Sequence, residues 1–309
     1  MADRLAIVGV PSSAGAYSPG QEKAPAALRA AGLIAALQAR GITVDDLGDT
    51  PAFRWRADHD NPRAMNAIVV EQMARSVAKH VTSALAAGEA VLVLGGDCTI
   101  ELGTVAGALA STKSVGLIYI DLDTDLNTPA STGDGALDWM GIAHLLGIEG
   151  TVPSLIDLGA GAPMLSPEQV LFFAFGNTTD FERSVIDTRS IQGVPLEAVV
   201  ANPSGAAQGV IDGWARQFDR LLVHLDVDVL DFLDFPLAEN TRHNIGLRFD
   251  QLILALQTIL AAPNWAALTI TEVNPDHGAS DGSNLRTFVE ALADTLAQSQ
   301  RLTDYKTST

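Results

Sequence analysis

VGLIYIDLDTDLNTP (115–129) and RLLVHLDVDVLD (220–231) are the two stretches whose reading decides this fold. Each is an apolar run that breaks into aspartates: Asp121, Asp123 and Asp125 in the first, Asp226, Asp228 and Asp231 in the second. A short run of Val, Ile and Leu closed by polar residues reads as a strand buried on both faces. Carboxylates at the end of such a strand sit where little water screens them, and burying them uncompensated is costly. A bound cation is the physical remedy. Two clusters that converge in space would hold two cations, so a metal-dependent enzyme is the first expectation.

Outward from these runs, strand-like and helix-like segments alternate. LAIVGV (5–10), ITVDDL (42–47), AVLVLGGD (90–97), VLFFAFGN (170–177) and ALTITEVNP (267–275) read as further strands. Helical spacing covers roughly 24–40, 62–87 and 100–111, and a loop with Pro129 and Gly133 follows the first aspartate cluster. This alternation predicts a mainly parallel sheet covered by helices on both faces, in one domain over residues 1–309. The closing TDYKTST reads as a frayed tail. In open parallel sheets ligands bind beyond the carboxyl ends of the strands. Gly95-Gly96-Asp97, both aspartate clusters and Glu272 all fall at such ends.

Composition narrows the function. A formal charge of −18 argues against nucleic acid and anionic membrane as partners. Hydrophobic content of 47% and a mean hydropathy of +0.20 suit a compact globule. No run is long enough for a membrane span and none reads as a secretory leader. Cys98 is the single cysteine, which excludes an internal disulfide. A cytoplasmic protein is expected.

Alternation along a strand would place Asp121, Asp123 and Asp125 on one face, and Asp226 with Asp228 on another shared face. Such hard oxygen donors suit Mn²⁺, Mg²⁺ or Ca²⁺. A plainer reading makes each cluster a helix cap. An EF-hand loop starting at Asp121 would need Gly and Glu where Leu126 and Thr132 stand. An apolar strand ending in Asp-x-Asp also resembles nucleotide-sugar glycosyltransferases, and LLVHLDVDVL loosely resembles the nucleophile strand of dehalogenase-like phosphatases. Neither accounts for a second cluster together with Gly95-Gly96-Asp97.

GGDCT (95–99), DLDTDLNTP (121–129), HLDVDVLD (224–231) and EVNP (272–275), in this order and spacing, resemble the arginase/agmatinase (ureohydrolase) family. GVPSSAG (9–15), APAALRAAGL (24–33) and DLGD (46–49) resemble that family's opening segment, so the likeness spans nearly the whole chain. It implies a three-layer α/β/α sandwich with about eight strands, assembled as a homotrimer or homohexamer. It also implies hydrolysis of a small guanidino-type substrate by hydroxide bridging two divalent ions, Mn²⁺ in the family. By position, the resemblance puts metal ligands at Cys98, Asp121, Asp123, Asp125, Asp226 and Asp228. Asp121 and Asp226 would bridge, Asp125 would accept from the hydroxide, and Glu272 would orient the guanidinium.

Two departures stand out. The family has histidine where this chain has Cys98 and Asp123, so two neutral donors become acidic ones. Ionised fully, that surplus would make bound ions poorer Lewis acids. It leaves open a different metal, a protonated and unligated Cys98, or one weakly held ion; thiolate would favour softer ions. On the substrate side the resemblance gives Asn127 to the substrate's carboxylate end. It places Asp134 where arginases have a supporting serine and Asp138 where they have a proton-shuttling histidine. Asp134 would repel a carboxylate, which points away from L-arginine and towards a guanidino or amidine compound with an altered tail. Asp134 also reads as a turn residue, and Asp138 as a cap. Asp180 or Glu182 would take an amino group. His144 reads as packed in the core. His224 is set outside the metal shell, on the ground that adjacent strand residues face apart. His243 and His277 read as loop residues near the mouth. The competing expectation is a degenerate scaffold that binds a ligand or partner without hydrolysing it.

Overall fold

The computed structural model describes residues 4–303. Strands β1 (Arg4–Gly9), β2 (Thr43–Asp49), β3 (Ala90–Leu94), β4 (Val115–Ile120), β5 (Val170–Phe175), β6 (Gln192–Pro195), β7 (Arg220–Asp226) and β8 (Trp265–Thr271) form one sheet. Its order is β2-β1-β3-β8-β7-β4-β5-β6, and every pairing is parallel. Between β3 and β4 the chain jumps over the places later filled by β8 and β7. The four strands whose ends carry the acidic motifs are therefore neighbours at the centre.

Alternating side chains of the central strands feed two separate cores, which is why these runs are apolar throughout. Leu92, Leu94, Ile118, Ile120, Val223, Leu225 and Ile270 pack with the helices Leu33–Ala39, Phe249–Leu260 and Ser283–Ala297. Val91, Val93, Leu117, Tyr119, Phe172 and Leu222 pack on the opposite face with the helices Ala67–Ala86, Glu101–Leu109 and Gly141–Leu145. The result is the three-layer sandwich. Among the described residues no helix is long and apolar enough to cross a membrane.

Several element boundaries differ from expectation. The helix expected over 24–40 is two, Ala24–Ala30 and Leu33–Ala39, because Gly32 between them takes a left-handed φ of 98°. The helix expected from 62 begins at Ala67. The edge strand β6 is additional; its four residues, QGVP, carry no alternation to announce it. Of the expected tail, 304–309 lie outside the described residues.

Candidate metal centre

β4 and β7 run side by side with Ile120 opposite Leu225, so Asp121 and Asp226 emerge together at the carboxyl edge. Beyond that point the chain does not stay extended. Asp121 Oδ1 accepts the backbone N–H of Asp123 at 2.7 Å, and Asp226 Oδ1 accepts that of Asp228 at 2.7 Å. Each cluster is thus a tight turn fastened by its own first aspartate. Asp125 completes the first turn with φ 49°, and Glu272 leaves β8 with φ 62°. The left-handed region is disfavoured for residues with a Cβ, so both acids are held in strained backbone. The shared face expected from strand alternation arises instead from these turns.

Carboxylate oxygens of Asp121, Asp123 and Asp228 lie within 4.8 Å of one another. Asp121 and Asp228 are buried, and Asp121 Oδ2 and Asp228 Oδ1 have no hydrogen-bond partner among the described residues. Burial first, then the charges of Asp226, Asp125, Asp228 and Asp123, push the Asp121 carboxyl well above the ordinary carboxylate range. Burial and Asp228 do the same to Asp226. Asp125 is raised by burial, against the opposing pull of the Tyr119 hydroxyl that donates to it. Bare buried oxygens in an all-oxygen donor group fit a hard divalent cation.

Cys98, at the end of the Gly95-Gly96-Asp97 turn, directs its Sγ to Asp226 Oδ2 at 2.9 Å and lies 3.2 Å from Thr271 Oγ1. Burial and the surrounding acids, Asp226 foremost, push the thiol up, so it stands as a neutral donor to Asp226. Asp97 is structural: it accepts the N–H of Gly15 at 2.9 Å and that of Thr99 at 3.1 Å. At Gly96 two backbone segments pass so close that a Cβ would meet the Ser12 carbonyl oxygen at 1.9 Å.

Asp138 and Glu272 meet beside Cys98, with ligand atoms of the three within 4.8 Å of one another. Asp138 Oδ1 accepts the Cys98 N–H at 2.9 Å, so it does not cap its own short helix. Gln21 Nε2 donates to Glu272 Oε2 at 2.9 Å, while Glu272 Oε1 is buried without a partner among the described residues. Burial and then the charge of Asp138 keep Glu272 raised; Asp138 is raised by burial and then Asp97. Tyr17 stacks on Trp139 at 5.9 Å, and Trp139 Nε1 donates to Asp134 at 3.3 Å.

Towards the loop side, Asn127 Oδ1 accepts from Ser131 Oγ at 2.9 Å. Asp134 is exposed and closes its own turn through the Ala136 N–H. Asp180 is exposed at the start of the helix Asp180–Arg189, whereas Glu182 is consumed by a capping box with Thr179 and by Thr124 and Leu126. Glu182 is therefore structural. His144 is packed as expected: Met140 and Val152 occupy its two ring nitrogens, and burial pushes it down to about 4.

The placement of His224 is a correction. It stands two residues before Asp226, not one, so the two share a face. A His224 ring nitrogen, Cys98 Sγ and an Asp121 oxygen lie within 4.8 Å of one another. The ring is held by Glu101 at 3.3 Å and Thr271 at 3.2 Å, and it stacks on Tyr119 at 4.1 Å. Sequence reading also missed Arg242, whose Nη1 lies 2.6 Å from Asp123 Oδ2 and 3.6 Å from Asp228 Oδ2. Its only advance signal was its being the sole Lys or Arg between Arg220 and Arg248.

Residues 3–297 match the arginase family model. The arginase of Bacillus subtilis is 28% identical over 292 residues, covering 93% of this chain and 97% of its own. Human arginase-1 is 28% identical, covering 95% and 92%. The solved structure of Bacillus caldovelox arginase superposes with a TM-score of 0.87 at 26% identity, covering 96% of this chain and 98% of its own. A match that runs through both aspartate turns, the Gly95-Gly96-Asp97 turn and Glu272 leaves one conclusion: this chain belongs to the arginase family.

Proposed function

We propose that the protein is a metal-dependent hydrolase of a guanidino or amidine C–N bond. The observation that carries this is the pair of buried carboxylate oxygens, Asp121 Oδ2 and Asp228 Oδ1, that have no hydrogen-bond partner among the described residues, together with a Glu272 Oε1 in the same condition. Two of them call for a cation in the centre, and the third for a donor from the substrate. In this reading Asp121, Asp123, Asp125, Asp226 and Asp228 hold divalent ions, with the thiol of Cys98 beside them as a neutral neighbour. The hard donor set favours Mn²⁺ or Mg²⁺. When bound, such ions acidify a water and polarise the carbon under attack.

The chain's own residues do the rest. Glu272, fixed by Gln21 and by strained backbone, accepts a guanidinium N–H through Oε1. The acidic surroundings favour a cationic group, and the Tyr17–Trp139 pair offers it an aromatic wall. Asp138, raised by burial, keeps a proton for the departing nitrogen, and Tyr119 orients Asp125 for the same task. Asn127, Asp134 and Asp180 sort substrates by their tails, the exposed acids disfavouring a carboxylate there. A scaffold that had abandoned metal would gain by shedding mutually repelling aspartates, and this one keeps five.

The test is a panel of guanidino and amidine compounds offered to purified protein loaded with Mn²⁺, with release of urea-type product and amine measured. Asp228→Ala is expected to lose both bound metal and turnover. Unchanged metal content and turnover in that variant would reject the assignment.

A further inference from the structure

Arg242 is not a surface ion-pair partner. Its side chain is 26% exposed, and those of Asp123 and Asp228 are 14% and 2% exposed. The loop that carries it is pinned at several points. The Phe232 N–H donates to the Arg242 carbonyl at 3.1 Å, the Asn244 N–H to Asp231 Oδ1 at 3.0 Å, and Asn240 Nδ2 to Asp228 Oδ2 at 2.6 Å. The guanidinium is therefore a fixed positive charge at the outer edge of the centre.

Its presence makes the three carboxylates unequal. Both oxygens of Asp123 are engaged, Oδ2 by Arg242 and Oδ1 by the Asn177 amide. Asp121 and Asp228 each keep a bare oxygen. Charge arithmetic points the same way. A histidine ligand would be neutral; an aspartate in its place adds one negative charge, which the guanidinium returns to zero.

We propose that Arg242 and Asp123 act as one electrically neutral unit, and that Arg242 weakens the grip of the Asp121–Asp123–Asp228 group on its ion. The two ion positions are thereby unequal in affinity. This rests on the metal-centre reading above, and the test separates the two. Metal-free full-length protein is titrated with Mn²⁺ by calorimetry, with stoichiometry checked by elemental analysis. The intact protein is expected to take one ion tightly and a second at least about tenfold more weakly, since a fixed like charge nearby opposes it. Arg242→Met tightens the second site by about tenfold or more. Arg242→Lys, which keeps the charge, stays near the original isotherm. Asp123→His leaves Arg242 with Asp228 alone to pair with and loses the second ion, and Asp123→His combined with Arg242→Met regains it. Should Arg242→Met fail to fold, Arg242→Gln keeps a hydrogen bond to Asp123 without the charge and takes its place. Bound Mn²⁺ with identical isotherms across the Arg242 variants, or effects of the two positions that simply multiply, overturns the proposal alone. No Mn²⁺ bound in any of these proteins removes the metal-centre reading, and the proposal with it.

Discussion

Asp121→Asn separates what the bare centre costs from what it is for. Asp121 is 1% exposed; its Oδ1 holds the Asp123 N–H, and its Oδ2 has no donor among the described residues. Without metal the folded chain must keep an unpaired charge there or take up a proton against the solvent pH. The first costs several kcal/mol and the second about 1.4 kcal/mol per pH unit. Asparagine preserves the Oδ1 acceptor and turns the bare atom into an N–H donor among the acids that act on Asp121, Asp226 and Asp228 included. The metal-free variant should be more stable by about 2–4 kcal/mol. At roughly 2.1 cal/mol/K of unfolding entropy per residue, a chain of 309 residues shifts its Tm by roughly 1.5 °C per kcal/mol. Melting in chelator should therefore rise by about 3–6 °C. Mn²⁺ at a thousand times its Kd would add about 4 kcal/mol, or about 6 °C, to the unaltered protein and far less to the variant. Scanning calorimetry with and without Mn²⁺ reads both numbers. A variant that melts below the parent in chelator, or responds equally to Mn²⁺, refutes the reasoning.

The pH dependence follows from Asp123, whose carboxyl burial and Asp228 push up to about 6 from the ordinary 3.8. A raised carboxyl contributes stability that is complete below the unfolded value and lost as pH rises through the folded one. Metal-free protein should thus lose stability relative to Asp123→Asn between about pH 4 and pH 7, and melts across that range check it. The Mn²⁺-induced rise in Tm should grow over the same span. Gly96→Ala forces the Ser12 carbonyl away from a 1.9 Å approach and should cost about 3 kcal/mol. Because the Glu272 N–H bonds the Gly96 carbonyl at 2.9 Å, KM should rise in the same variant. Tyr119→Phe removes the hydroxyl donated to buried Asp125 and should lower chelator stability by about 1–3 kcal/mol, read by the same melts.

The central strands were legible because a strand buried on both faces has to be largely apolar, and β3, β4, β7 and β8 are, with His224, Thr269 and Thr271 among their few polar members. β6 was not, since an exposed four-residue edge strand is free of that demand. The break at Gly32 hid because apolar spacing continues across it. For the site, acids at the ends of apolar runs announced themselves, and the family likeness fixed their order. What brought them together did not: periodicity speaks of strands, whereas these aspartates are placed by turns closed on their own side chains. His224 was legible and misread, by a slip of one residue in strand parity. Arg242 lay beyond local reading, because it meets Asp123 across 119 positions of chain from a loop of no regular pattern.

The arrangement is rigid before any ion enters. Asp121 and Asp226 each spend one oxygen on a backbone N–H two residues on, Asp125 and Glu272 sit in left-handed backbone, and Tyr119, Gln21 and Asn240 hold three acids by hydrogen bonds. A flexible acidic loop would relieve repulsion by moving into water; these groups cannot, being anchored to the four central strands. The repulsion is therefore retained in the folded state and offset by the two cores beneath it. A cation that binds releases it, which makes ion affinity and folding stability two readings of one quantity. Arg242 modifies that balance by bringing part of the compensating charge covalently, at Asp123 and beside Asp228.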